Sequence, residues 1–299
     1  MISSRLLLPA LCLILLTAAG CRSSYRATAD ALGMPNAERI FDNKTVTLRN
    51  GDSTLVFTPG LRTARINGIT VYLNDPAGHS DLAPRDRAML RAMLTPGPNK
   101  KQLKVLIDPG HGGKDIGCHV EKTTEKAIVL DIGIELQRIL TERGHLALMT
   151  RTDDTYLTLD ERCATGVRTN PDAFVSIHVN SADNPKASGI EVYTLPSYGA
   201  EGSLPNSPAR GPLVGHNSLD EANRLAYHLQ EELLNVSIPA PADRGVRHAH
   251  FKVLRDTPAP AVLVETGFIT HVGDFARLSD PVHRKCLAKA MADALEKAL

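Results

Sequence analysis

The sequence predicts an α/β fold, a mostly parallel sheet flanked by helices on both faces and preceded by a small β-rich N-terminal domain. Two observations predict it. From residue 104 onward, short apolar runs alternate with stretches of helical periodicity, the pattern of strand–helix units that build a parallel sheet. Ahead of them, short β-branched runs are separated by turn dipeptides, the pattern of hairpins. With 299 residues, 42% of them hydrophobic, the chain can bury one sizeable core and carry a second small domain. Its 34 basic and 33 acidic residues leave a net charge of +1, so no long-range field favours nucleic acid and no such partner is expected.

The first element is an export segment. Arg5 precedes an apolar run over 6–16, and Ala18-Ala19-Gly20 lead into Cys21. That is the layout of a signal peptide over residues 1–20, too short for a membrane span. A small residue directly before a cysteine also resembles the lipobox of bacterial lipoproteins. The resemblance implies that Cys21 is lipidated, becomes the mature N-terminus and ties the chain to a membrane. Arg22 stands where an aspartate would mark inner-membrane retention, so the implied location is the periplasm, anchored to the outer membrane. Residues 21–38, polar and rich in small side chains, read as the lipidated tether.

Residues 39–98 read as the β-rich domain. Thr45-Val46-Thr47-Leu48, Ser53-Thr54-Leu55-Val56-Phe57 and Ile69-Thr70-Val71-Tyr72-Leu73 are its strands, with turns at Asn50-Gly51, Pro59-Gly60 and Asn67-Gly68. Leu48-Arg49-Asn50-Gly51-Asp52 and Ala64-Arg65-Ile66-Asn67-Gly68-Ile69 resemble the small domain named after the N-terminal part of copper amine oxidases. The alternative is a β-rich leader packed on the following domain. Thr95-Pro96-Gly97-Pro98 closes the region.

Residues 103–299 form the main domain. A buried strand at Val105-Leu106-Ile107 leads to a helix over 124–143, striped by Ile128, Ile132, Leu136, Ile139 and Leu140 and ended by Gly144. A strand over 146–150, a helix over 159–167 and strands over 173–178 and 190–195 follow. The next helix spans 219–235, announced by a capping box from Ser218 to Glu221. Strands over 251–254 and 261–265 precede a last helix opened by Asp280-Pro281. Four prolines and four glycines between Leu195 and Ser218 rule out a helix there and predict a mobile loop beside the cleft, with Glu201 and His216 in reach of it. Cys12 and Cys21 belong to the export segment. Cys118, Cys163 and Cys286 remain, an odd number without the paired spacing of a cysteine zinc site.

Three apolar strands end on chemically useful groups: the first in Asp108-Pro109-Gly110-His111-Gly112-Gly113, the others in His178 and Glu265. Carboxyl ends of parallel strands are where open α/β sheets place their sites. Glu125, in the first turn of the following helix, returns to that edge. Two imidazoles and a carboxylate suit a catalytic zinc, since three protein ligands leave a fourth position for the water that acts as nucleophile. Glu265 is then placed to act as general base and acid. Taken singly, each has a plainer reading: a hydrogen-bonded histidine, a charge at a helix N-terminus, or a strand's exit to solvent.

Together they resemble a family. Ile107 to Gly117, Glu125-Lys126, Thr150-Arg151-Thr152-Asp153-Asp154, Leu159-Asp160-Glu161-Arg162, Val175-Ser176-Ile177-His178-Val179-Asn180, Arg244-Gly245-Val246, Val253-Leu254-Arg255 and Val264-Glu265-Thr266-Gly267-Phe268-Ile269 are similar, in order, to the amidase-3 family of zinc-dependent N-acetylmuramoyl-L-alanine amidases, the AmiA/AmiB/AmiC type. The resemblance implies one Zn2+ bound by His111, Glu125 and His178, with Glu265 catalytic. It also implies hydrolysis of the amide between N-acetylmuramic acid and L-alanine in peptidoglycan. Asn180 and Arg244 are candidates for substrate binding, Arg244 for a stem-peptide carboxylate. Arg151 and Arg162 read as scaffold. An activator protein is a further partner the family allows, although the proline-rich loop differs from the inserted helix that some relatives use for regulation. The alternatives are a catalytically inactive wall-binding lipoprotein on the same fold and a zinc peptidase.

Overall fold

The computed structural model describes residues 24–42 and 44–299; the export segment 1–20 and the lipidation candidate Cys21 lie outside the described residues. Among the described residues, eleven strands make one sheet in the order β1-β2-β3-β4-β5-β12-β11-β13-β10-β6-β9, while β7 (His119–Val120) and β8 (Thr123–Thr124) form a separate two-stranded ribbon. Its main part is β6 (Lys104–Pro109), β9 (Leu146–Met149), β10 (Ala173–Asn180), β11 (Ile190–Thr194), β12 (Asp243–His248) and β13 (Ala261–Phe268). Here β9, β6, β10 and β13 run parallel, and β11 opposes β13 while pairing parallel with β12. The expected α/β class, with its mostly parallel sheet, is what the chain forms.

Strand alternation sorts side chains to two faces. Val105, Ile107, Val175, Ile177, Val262 and Val264 join one core with the helices Glu125–Glu142, Leu219–Leu234 and Pro281–Ala298. Leu106, Phe174, Leu263 and Tyr193 join a second core on the other face, with Cys163 and Leu254 from the helices Leu159–Thr169 and Lys252–Arg255. The candidate site opens on this second face. Cys118, Cys163 and Cys286 are all free thiols. Among the described residues, no helix is long and apolar enough to cross a membrane.

The β-rich segment is an antiparallel meander of β1 (Glu38–Phe41), β2 (Val46–Asn50), β3 (Ser53–Phe57), β4 (Thr63–Ile66) and β5 (Ile69–Tyr72). It continues the main sheet, with Val71 of β5 paired to Val246 of β12. Polar pins reinforce that seam: Thr70 N donates to Asp243 Oδ2 at 2.8 Å, and the buried His248 ring lies 2.8 Å from the Tyr72 carbonyl. Gly245 has a φ of +87°, and a Cβ there would stand 2.7 Å from the Thr70 carbonyl oxygen, so the close approach needs glycine.

Several local expectations are corrected. Residues 252–255 are a short helix rather than part of a strand, and the strand of this region is β12. Asp243-Arg244-Gly245-Val246-Arg247-His248 carries one aliphatic residue, too few to show a strand by pattern. Ser218 forms no capping box; its hydroxyl donates to the Pro258 carbonyl at 2.9 Å. The stretch read as a tether holds the helix Arg26–Ala31, whose preceding Tyr25 is buried and donates its hydroxyl to the Gly78 carbonyl. A further helix, Pro84–Leu94, follows the meander, and its buried Asp86 accepts from the Asn74 amides.

Candidate active site

His111, Glu125 and His178 converge, each offering a ligand atom within 4.8 Å of the others. Glu125 is the hub. Its Oε1 lies 3.1 Å from His111 Nε2 and 3.0 Å from His178 Nδ1, and it accepts from Val179 N at 3.0 Å. Its Oε2 accepts from Cys118 N at 2.9 Å. Burial alone would raise the Glu125 pKa; the hydrogen bonds and positive charge of the two histidines overturn that and hold it well below the carboxylate range. Burial likewise opposes the charged form of His111, and the Glu125 and Asp115 carboxylates raise its pKa regardless. Asp115 Oδ2 is 2.9 Å from His111 Nδ1, an ion-pair distance whose alignment is not that of a hydrogen bond.

His111 reaches the site from a backbone φ of 58°, a conformation that costs a non-glycine residue energy. Two arginines hold that turn by its carbonyl oxygens. Arg162 donates to Pro109 O at 2.8 Å and His111 O at 2.6 Å, and Arg151 to Pro109 O at 2.9 Å and Gly110 O at 2.7 Å. Arg162 is charge-balanced by the buried Asp108, which also accepts from Thr150 and Ser176. Both arginines read as scaffold from sequence, and what they hold is the turn that presents His111. The glycines are equally specific. A Cβ on Gly110 would stand 2.4 Å from the His178 ring, and one on Gly117 2.4 Å from Glu125 Oε2.

Glu265 sits beside His178 in the parallel register of β10 and β13, so both side chains leave the same face. Its Oε2 is buried and has no hydrogen-bond partner. Burial, then the negative charges of Glu125 and Glu191, push its pKa well above the carboxylate range. A cleft of about 310 Å³ joins Glu265 to His111 and His178, with Tyr156, Leu157, Leu159 and Phe251 among its walls. A polar oxygen left without a partner next to two imidazoles and a carboxylate fits a site built to receive a cation and a polar substrate group.

Asn180 and Arg244 come together, through a residue that sequence reading missed. Glu191 is the cross-strand partner of Glu265 and is fully enclosed. Its Oε1 accepts from Asn180 Nδ2 at 2.7 Å and Tyr193 OH at 2.9 Å; its Oε2 accepts from Arg244 Nε at 2.9 Å and an Arg247 guanidinium nitrogen at 2.8 Å. The only hint in the sequence is a charge inside the apolar run Ile190-Glu191-Val192-Tyr193. Glu201 and His216 do not reach the triad. Glu201 is exposed beside Arg62, and the His216 ring lies against the Pro196 carbonyl.

A family model described as N-acetylmuramoyl-L-alanine amidase matches residues 105–297. The probable cell wall amidase LytH of Staphylococcus saprophyticus is 33% identical over 204 residues, covering 66% of this chain and 60% of that protein. The chain thus spans about three-fifths of the length of the curated relatives it matches. Among solved structures, the N-acetylmuramoyl-L-alanine amidase AmiC2 of Nostoc punctiforme is 35% identical with a TM-score of 0.55, covering 66% of this chain and 96% of that one. The N-acetylmuramoyl-L-alanine amidase of Clostridium difficile 630 is 28% identical with a TM-score of 0.55 and the same coverage.

Proposed function

This chain belongs to the N-acetylmuramoyl-L-alanine amidase family, and from that premise we propose that it hydrolyses the amide joining N-acetylmuramic acid to the L-alanine of peptidoglycan stem peptides. The observation that carries the reading is the convergence of His111, Glu125 and His178 beside an unpartnered buried oxygen of Glu265. The three residues would hold one zinc ion. Bound there, zinc would polarise the scissile carbonyl and bring the pKa of water to about 7.

The remaining work falls to the chain's own groups. Glu265 takes a proton from the attacking water, holds it, and delivers it to the departing L-alanine amine. Its raised pKa suits the holding and delivery steps. Arg151 and Arg162 keep His111 aimed by holding the carbonyls of its turn. Asn180 and Arg244, fixed by Glu191, supply donors to the substrate, with Arg244 meeting a stem-peptide carboxylate. An inactive wall-binding protein would need no unpartnered carboxylate at this point. The export pattern and Cys21 support a lipoprotein held at the outer membrane and facing the periplasm, where peptidoglycan is the substrate within reach. The family resemblance leaves room for an activator protein.

The test is Glu265→Gln. Purified variant and wild type are incubated with cell-wall sacculi, and the released products are weighed by mass spectrometry. The expected result is a rate lower by about 10²–10⁴-fold with the metal content retained. The wild type should lose activity on chelation, regain it with zinc, and free intact stem peptides that begin with L-alanine. Undiminished release by the variant would overturn the role of Glu265, and products cut within the peptide would overturn the bond assignment.

A further inference from the structure

The two ends of the cleft differ in chemistry along the strand order. Following β9 in the chain and lying by the turn after β6, Tyr156 and Leu159 are 38% and 52% exposed although they line the cavity. The Lys114 ammonium rests 4.5 Å over the Tyr156 ring. Of the other cations here, Arg162 is matched by Asp108 and Lys252 by Asp160 and Asp256, while Arg151 has its donors on main-chain carbonyls. This end is therefore an open apolar wall whose one exposed, unpaired cation is the Lys114 ammonium.

Next to the cleft, on the far side of Glu265, the buried Glu191 carboxylate of β11 serves two guanidiniums from β12. Glu191 carries a single negative charge against Arg244 and Arg247, which leaves about one positive charge in surplus. Arg244 is tied only through Nε, its plane lies 4.6 Å over the Phe268 ring, and its side chain stays 31% exposed. A guanidinium pinned at one edge and stacked on an aromatic ring presents its outer edge in a fixed direction, suited to a carboxylate. Between the two ends, on β13, β10 and the turn after β6, sit Glu265, His178 and His111.

A muramoyl amide has two unlike halves. On one side of the scissile bond is an uncharged sugar with apolar C–H faces and an acetyl methyl group; on the other is a peptide bearing carboxylates. Resting on the amidase reading, we propose that the glycan lies against Tyr156 and Leu159 while the stem peptide crosses Glu191 toward Arg244, so the strand order fixes the direction of the substrate. The reverse orientation would put carboxylates against an apolar wall with no surplus cation beyond Lys114, and a neutral sugar against a guanidinium in want of an anion.

The experiment measures binding of the two product halves separately, by calorimetry on the zinc-loaded full chain. One ligand is a peptide-free oligosaccharide of alternating N-acetylglucosamine and N-acetylmuramic acid; the other is a free stem peptide. Tyr156→Ala and Leu159→Ser are each expected to weaken the glycan about tenfold and the peptide less than twofold. Arg244→Gln is expected to do the opposite, and Tyr156→Phe to keep glycan affinity, since the ring face is what binds. Glycan weakened by Arg244→Gln but not by Tyr156→Ala would overturn the orientation, as would equal weakening of both ligands by either variant, or no glycan binding by wild type. Because nothing is hydrolysed in this assay, its failure is separate from a failure of the amidase reading, which the sacculus digestion decides.

Discussion

Gly110→Ala tests how the site is built more sharply than removal of a ligand would. Gly110 does not occupy the left-handed region, so alanine can adopt its backbone, and what stands in the way is the His178 ring. The new Cβ would lie 2.4 Å from ring Cε1 and 2.6 Å from Nε2, whereas ordinary contact begins near 3.4 Å. The ring must therefore retreat by about 1 Å. The backbone cannot give way instead, because Gly110 N donates to the Ile177 carbonyl at 3.0 Å and Gly110 O accepts from Arg151 at 2.7 Å. Metal–ligand distances tolerate roughly 0.2 Å, so the displaced imidazole no longer completes the triad. Loss of a mere supporting contact weakens metal affinity about 10–100-fold, which sets the least effect expected here. Overpacking should cost about 1–3 kcal/mol of stability, leaving the protein folded. Zinc affinity is measured by competition with a chromophoric chelator, alongside a thermal melt and sacculus hydrolysis. A folded variant with wild-type zinc affinity and activity would refute the claim that His178 is positioned against this glycine.

Two further expectations concern the rest of the chain. His248 is enclosed at the seam between β12 and β5, and burial lowers its pKa from 6.5 to about 4. The unfolded chain takes up the proton first, so stability from this group is complete above pH 6.5 and falls by about 3 kcal/mol as the pH drops toward 4. Denaturant titrations across that window should show a shallower pH dependence for His248→Gln, and identical slopes would refute the assignment. At the other end of the chain, cells fed a labelled fatty acid should label the wild-type protein and not Cys21→Ser; label on both would exclude Cys21 as the acylated residue.

What the sequence revealed and what it hid divide along a physical line. His111, Glu125, His178 and Glu265 were legible because each follows an apolar strand or opens a striped helix, and local pattern places such residues at one sheet edge. Glu191 was not, because three of its four partners come from other strands: Asn180 on β10, and Arg244 and Arg247 on β12. β12 itself was invisible, since its charged residues spend their side chains on that cluster instead of on an apolar stripe. The same holds for Arg151 and Arg162. Apart from Asp108, which pairs with Arg162, their acceptors are main-chain carbonyls, which leave no trace in residue types, so their motif positions read only as scaffold.

The continuity of the meander with the main sheet is a related case, because its backbone ladder is short. A single register pair, Val71 with Val246, joins the ladders, and the seam depends on Asp243, Gly245 and His248 to satisfy what backbone pairing leaves open. These residues are interspersed along β12 with Arg244 and Arg247, which reach Glu191. One strand of six residues thus binds the β-rich segment with one set of side chains and orders the rim of the cleft with the other. A disturbance at the seam would reach Glu191, and through it Asn180 and Arg244, without touching His111, Glu125 or His178. The β-rich segment is in this sense tied to Glu191 and its partners, while the group of His111, Glu125 and His178 stands on β6, β10 and the arginines that hold the turn after β6.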